Sequence, residues 1–169
     1  MIDNFFDNVD EIREYALSCE YFLPEKKDTW VGFRTKKLEK DSDIVKLIYD
    51  KIDQALISEY GMNGKLDTEI CFHYTLDKTR YTAPRNYEEF KWHIDPARYP
   101  SLVYLTPDPP PFSGTTLRDE KRGMEMSFKN VYNRFVTYSG GVTHAPTNLF
   151  GSDINSARLT ITGFTDLSK

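Results

Sequence analysis

The chain has 169 residues, 39% hydrophobic and 14% aromatic, with eleven Tyr and eleven Phe. That is enough apolar material for one sizeable core, and it argues against a disordered chain. A formal net charge of −4 argues against a nucleic-acid partner, because phosphate-backbone binding draws on clustered Lys and Arg. The opening MIDNFFDNVDE lacks the basic start and apolar run of a signal peptide, and no apolar run is long enough to cross a bilayer. The expectation is a cytoplasmic protein without a membrane partner. Cys19 and Cys71 stand far apart in apolar contexts, where free cysteine behaves as a small hydrophobe.

In chain order, the first predicted element is a helix over residues 9–22. Val9, Ile12, Tyr15, Ala16 and Cys19 share its apolar stripe, with Asp7 or Asn8 as N-cap. A second helix is predicted over DSDIVKLIYDKIDQALISEYG, with Ile44, Leu47, Ile48, Ile52, Ala55 and Leu56 facing inward and Gly61 as the stop. From Thr68 onward the texture changes to short β-type runs: TEICFHYTL, the HID segment, SLVYL, NRFVTYS and RLTITGF. PDPPPFSG between them makes a stiff turn or edge, and the charged runs EKKDTW and KLEKDSD read as solvated turns. Helices first and strands afterwards predict an α+β domain, with N-terminal helices packed on one face of a strand-rich half.

The chemistry is carried by two of the three histidines. In an extended chain, side chains at i and i+2 leave the same face, so His93 and Asp95 of WHID share a wall while Ile94 points away. His144, after the Gly-Gly turn in YSGGVTH, offers a further imidazole. Two imidazoles and a carboxylate suit Fe(II) with open positions; zinc can take the same ligands, although a closed structural zinc site wants four. In RLTITGF, Arg158, Thr160 and Thr162 share one strand face while Leu159 and Ile161 share the other. A buried arginine needs an anion, and its planar guanidinium holds a carboxylate through two parallel hydrogen bonds.

Taken in order, Tyr74 and Tyr81, WHID, SLVYL, SGTT, NRFVTYSGGVTH and RLTITGF resemble the Fe(II)/2-oxoglutarate-dependent dioxygenases, in particular the small prolyl-hydroxylase-like branch. The opening FFDNVDEIREYAL and the segment WVGFRT are similar to the N-terminal region of small stand-alone oxygenases. One departure is Ser113, where that family commonly has the first of two glycines. The resemblance implies a double-stranded β-helix (jelly-roll, cupin-like) barrel of about eight strands. It implies a single oxygenase domain over residues 1–169, with helical support over 1–62 and a β-helix core over 68–164.

Carried over residue by residue, the resemblance makes His93, Asp95 and His144 the iron ligands. Arg158, assisted by Thr160 and Tyr104, would hold the distal carboxylate of 2-oxoglutarate, and Tyr74 would line the co-substrate pocket. With Tyr74 facing the pocket, His73 faces outward and has no role. The implied activity is a hydroxylase consuming 2-oxoglutarate and O2 and releasing succinate and CO2. The polar and aromatic connection 76–90 reads as a lid, and Arg80, Tyr81, Arg85, Tyr87, Arg98 and Tyr99 as a rim able to grip a peptide or an acidic small molecule. The rival reading is a non-catalytic metal- or ligand-binding cupin-like module; an arginine placed in a polar pocket speaks against it, because desolvating it is costly.

Overall fold

The computed structural model describes residues 1–24, 30–61, 65–79 and 91–168. The first helix, α1, runs over Val9–Ser18 and buries Ile12 and Ala16. It ends four residues before its expected limit of 22, because Cys19 turns extended with ψ 155°. Phe22 then exchanges both backbone hydrogen bonds with Arg34, at 2.8 and 3.0 Å. Pairing with a distant strand outweighs the helical spacing of CEYF.

The second helix, α2, spans Asp43–Tyr60. The Ser42 hydroxyl accepts the Val45 N–H at 3.4 Å, and Gly61 closes the helix at φ 61°, where a side chain would be strained. Its buried face is Val45, Ile48, Tyr49, Ile52, Ala55 and Leu56, while Leu47 is 39% exposed and Ile44 only partly buried. The face is therefore turned from the expected stripe toward Val45 and Tyr49. Tyr49 explains the rotation: its hydroxyl donates to the Leu38 carbonyl at 2.8 Å and accepts the Ile70 N–H at 3.3 Å.

The strands are β1 (Phe33–Arg34), β2 (Leu66–Thr75), β3 (Tyr99–Tyr104), β4 (Gly114–Asp119), β5 (Met124–Lys129), β6 (Phe135–Thr137), β7 (Thr143–Thr147) and β8 (Arg158–Leu167). They form two antiparallel sheets in the orders β1-β2-β8-β3-β6 and β5-β4-β7. The HID segment, expected as a strand, contributes a single bridge, His93 to His144, on the free edge of β7. SGTT supplies the start of β4.

Ile70, Phe72, Val103, Phe135, Leu159 and Ile161 bring one face of the larger sheet against Ile12, Ile48, Ile52 and Leu56 of the helices. A smaller cluster, Leu102, Tyr104, Leu117, Val136 and Tyr138, joins the other face to β4 of the second sheet. The N-terminal segment is tied in by Asn133. Its side chain accepts the Phe6 N–H at 2.9 Å and donates to the Phe6 carbonyl at 2.7 Å, while Phe5 stacks on Phe135. No helix among the described residues is long and apolar enough to cross a membrane.

Candidate metal centre and its cavity

Register decides which side chains meet. In the β2–β8 pairing Thr75, His73 and Cys71 stand opposite Arg158, Thr160 and Thr162, and Tyr74 and Phe72 stand opposite Leu159 and Ile161. Directly opposed residues share a face. The expected alternation of β8 holds: Arg158, Thr160 and Thr162 line a cavity, and Leu159 and Ile161 join the helical core. In β2 the expected phase is reversed. Tyr74 packs on the helical side, stacked on Phe33 at 4.7 Å between ring centroids, and does not line the cavity. His73 takes the inward place, its Nε2 donating to the Val31 carbonyl at 2.6 Å. That contact depends on Gly32, where a Cβ would stand 2.4 Å from the Tyr74 carbonyl oxygen and φ is +97°.

His93, Asp95 and His144 meet at the rim of the same cavity, with their ligand atoms all within 4.8 Å of one another. The two histidines are joined through their backbones: each N–H donates to the other's carbonyl, at 3.0 and 2.9 Å, and the rings lie 4.3 Å apart. Asp95 follows two residues on, with Ile94 turned outward at 56% exposure. The Gly-Gly turn before His144 is pinned to the loop after Asp95. Gly140 donates to the Arg98 carbonyl at 2.6 Å, and a Cβ there would stand 2.2 Å from the Ala97 oxygen.

The protonation pattern fits a cation. His93 Nδ1 lies 2.8 Å from the Lys91 carbonyl and His144 Nδ1 lies 3.0 Å from the Val142 carbonyl. A carbonyl only accepts, so in the neutral ring each Nδ1 carries the hydrogen and each Nε2 presents a lone pair. Those lone pairs face Asp95, with His144 Nε2 at 3.2 Å and His93 Nε2 at 3.8 Å from its carboxylate oxygens. Three acceptors therefore converge without a donor among them, an arrangement that a metal ion satisfies. Burial alone would raise the Asp95 carboxyl; a proton taken up by His144 or His93 puts a donor and a positive charge beside it and, with Arg34, holds it below the usual range. Burial, and then His144, push the His93 imidazole below its ordinary value.

Arg158 is 5% exposed at the start of β8. Its Nη2 donates to the Thr115 hydroxyl at 3.0 Å, and Tyr104 donates to the same oxygen at 2.9 Å. Tyr104 thus meets Arg158 both through Thr115 and directly, with the guanidinium carbon 5.5 Å from its ring centroid, and lies behind the cavity wall rather than on it. Thr160 lines the cavity, with its hydroxyl tied to the His73 carbonyl at 3.2 Å. Arg158 Nε is buried with no partner, and among the described residues no carboxylate pairs with this guanidinium. A buried cation with unmet donors is a place for an anion.

The cavity also holds residues that the sequence reading passed over: His73, Arg34, Trp30, Thr115 and Tyr138. Tyr138 packs its ring 5.0 Å from His144, and burial pushes its hydroxyl well above the usual range. Thr115 stood in the quoted SGTT and Arg34 in the quoted WVGFRT, so each had a signal without an assigned role. Of the proposed rim, Tyr99 packs against Tyr60 at 4.8 Å, and the Arg98 backbone N–H donates to Asp166 at 3.0 Å. Arg80, Tyr81, Arg85 and Tyr87, with most of the 76–90 connection, lie outside the described residues.

By sequence, no family model and no curated protein matches the chain. By structure it is similar to a Pseudomonas putida prolyl-4-hydroxylase, with a TM-score of 0.65 and 18% identity over 99% of this chain and 91% of that one. It is also similar to a 2OG-Fe(II) oxygenase family oxidoreductase from Burkholderia pseudomallei, with a TM-score of 0.69 and 10% identity over 98% and 81%. A third similar structure is a full-length Neurospora crassa protein in complex with alpha-KG, with a TM-score of 0.56 and 9% identity over 99% and 73%. The chain has a 2-oxoglutarate/Fe(II) oxygenase-like fold.

Proposed function

We propose that this protein is an Fe(II)- and 2-oxoglutarate-dependent oxygenase that hydroxylates a peptide side chain or a small molecule, with release of succinate and CO2. One observation carries the reading: three converging acceptors, His93 Nε2, His144 Nε2 and the Asp95 carboxylate, share a cavity with the unpaired guanidinium of Arg158. A purely structural barrel has no use for either feature, and both together suit a metal ion beside a dicarboxylate. The similar Neurospora structure holds alpha-KG, which supports the same co-substrate here. The two antiparallel sheets, packed on each other through Leu102, Tyr104, Leu117, Val136 and Tyr138, support a double-stranded β-helix.

In this reading His93, Asp95 and His144 hold Fe(II). When bound, the iron supplies the oxidising chemistry: 2-oxoglutarate is split to succinate and CO2, and of the two atoms of O2 one enters succinate and the other the hydroxylated product. The chain's own part is positional and electrostatic. The Lys91 and Val142 carbonyls hold both Nδ1 hydrogens and so keep both Nε2 lone pairs turned to the metal position. Arg158 takes the distal carboxylate of 2-oxoglutarate, with Thr160 beside it on the wall; Tyr104 and Thr115 keep the guanidinium from swinging away. Leu102, Leu117 and Val136 pack apolar surface beside these groups, which lowers the local dielectric and strengthens the charge contacts.

Anaerobic addition of Fe(II) and 2-oxoglutarate to the folded protein tests the reading. The expected result is the weak visible charge-transfer band of the chelated complex, lost in His144→Ala. Absence of the band from folded wild type would leave the non-catalytic binding module as the account.

A further inference from the structure

A second guanidinium stands in the cavity with no ion pair among the described residues. Pairing with β2 places Arg34 opposite His73, on the cavity side of the larger sheet. Its guanidinium lies 5.0 Å from the Trp30 ring centroid and 5.4 Å from that of Phe164. Beyond these aromatic contacts, its side chain makes no hydrogen bond or ion pair among the described residues, and its Nε is buried without a partner. Arg34 lines both the cavity that holds Arg158 and an adjoining one that opens past His93 and Asp95 toward Phe164 and Asp166.

We propose that Arg34 recognises the primary substrate, and that this substrate carries a free carboxylate. The inference rests on the oxygenase reading above, in which Arg158 is taken by the co-substrate. Arg34 then remains as a cation beside the metal position that forms no ion pair among the described residues, its guanidinium free to grip a ligand. Contact with two aromatic rings steadies the guanidinium while its N–H edge stays available to a planar, bidentate acceptor. Trp30 and Phe164 offer apolar surface to the body of the same ligand.

The surroundings select a single negative charge over a phosphate. Asp67, Glu69, Asp95 and Asp166 line the adjoining cavity with Arg34. Lys37 pairs with Glu69 at 3.2 Å, but Asp67 stands directly opposite Asp166 in the β2–β8 register. A doubly charged phosphate would meet that repulsion, whereas a carboxylate gains the fork of Arg34 with half the charge.

The test uses the full chain loaded with Mn(II) and saturating 2-oxoglutarate. Free L-amino acids and short peptides are each paired with the matching carboxamide, and phosphoethanolamine is added as a phosphate ester without a carboxylate. Binding is read by calorimetry and by paramagnetic broadening of the ligand's NMR lines, so no turnover is needed. At least one acid should bind about tenfold to a hundredfold more tightly than its carboxamide, as expected for hydrogen bonds to a charged group. Arg34→Gln should erase that preference and Arg34→Lys should restore part of it, which keeps the test decisive should one variant fold poorly. The proposal is overturned if no acid exceeds its amide, if phosphoethanolamine binds best, or if Arg34→Gln keeps the preference. Failure of the oxygenase reading shows separately, as wild type loaded with Mn(II) that does not bind 2-oxoglutarate.

Discussion

His93 and His144 are held face to face by their own main chains, through reciprocal N–H to carbonyl bonds of 3.0 and 2.9 Å. Neither bond needs the imidazoles, so the ligand positions are set before any side chain is considered. Replacing His93, Asp95 or His144 by Ala should therefore abolish Fe(II) or Mn(II) binding without unfolding the protein. Removing Asp95 also removes a carboxylate that the neighbouring charges favour in the folded chain, so without metal Asp95→Ala should melt slightly below wild type. With metal at about a hundred times its dissociation constant, wild type alone should gain about 2.7 kcal/mol. Calorimetric melting with and without Mn(II) checks both arms, and a metal-dependent rise in Asp95→Ala removes that residue from the site.

Asn133 holds the N-terminal segment with both ends of its amide while its backbone sits at φ 61°, a region that asparagine tolerates. Asn133→Ala strands the buried Phe6 N–H and carbonyl and strains the backbone as well. The expected loss is about 2–4 kcal/mol by urea unfolding. Asn133→Gly, which keeps the backbone conformation, should lose less than Ala.

How much of this was legible in the sequence differs from strand to strand. In β8, R-L-T-I-T alternates polar with apolar, because one face meets a polar cavity and the other a helical core, so Arg158 and Thr160 could be phased from residues alone. In β2, Ile70, Cys71 and Phe72 are all buried. With both faces covered, alternation vanishes and the phase of His73 and Tyr74 is set only by pairing with β8. Arg34 was hidden for a related reason: β1 is two residues long and exists through its pairing with a distant strand, at His73 and Tyr74. The helical spacing of CEYF misled because Arg34 recruits Phe22 into a bridge. The convergence of WHID and VTH was legible because His93 and Asp95 stand two residues apart, and a local backbone bridge brings His144 to His93.

His73 is held neutral. Burial, and then the charges of Arg34 and Arg158, push its imidazole well below its usual value, against the opposing hydrogen bond to Val31. A histidine depressed in the folded state costs nothing above its unfolded value of about 6.5, and costs stability as pH falls below it, because only the unfolded chain then takes the proton. Wild-type stability should fall below about pH 6.5 by at most about 1.4 kcal/mol per pH unit from this residue. Urea midpoints at neutral and mildly acidic pH should diverge less in His73→Gln than in wild type. Equal divergence would show that His73 is free to protonate in the folded protein.

Burial pushes the Cys71 thiol up to about 11, with Arg34 opposing and Glu69 and Asp95 adding to the rise. Burial raises Cys19 as well. At pH 8 the Cys71 thiolate is then about one part in a thousand, too little for ready alkylation. Iodoacetamide should leave Cys71 unlabelled in the native protein and modify it in urea. Fast native labelling would show that the strand around Cys71 opens.

On the proposed reading, the metal centre and Arg158 form one site for a chelating dicarboxylate. Titrating 2-oxoglutarate into Mn(II)-loaded wild type, Arg158→Ala and Arg158→Lys by calorimetry addresses this without turnover. Losing one partner of a buried charge pair costs about 2–5 kcal/mol, so Arg158→Ala should raise the 2-oxoglutarate dissociation constant about thirtyfold or more. Mn(II) affinity should stay unchanged, since a guanidinium is no metal ligand, and Arg158→Lys should recover only part of the loss. Equal 2-oxoglutarate affinities for wild type and Arg158→Ala would contradict the account and leave a metal-binding module in its place.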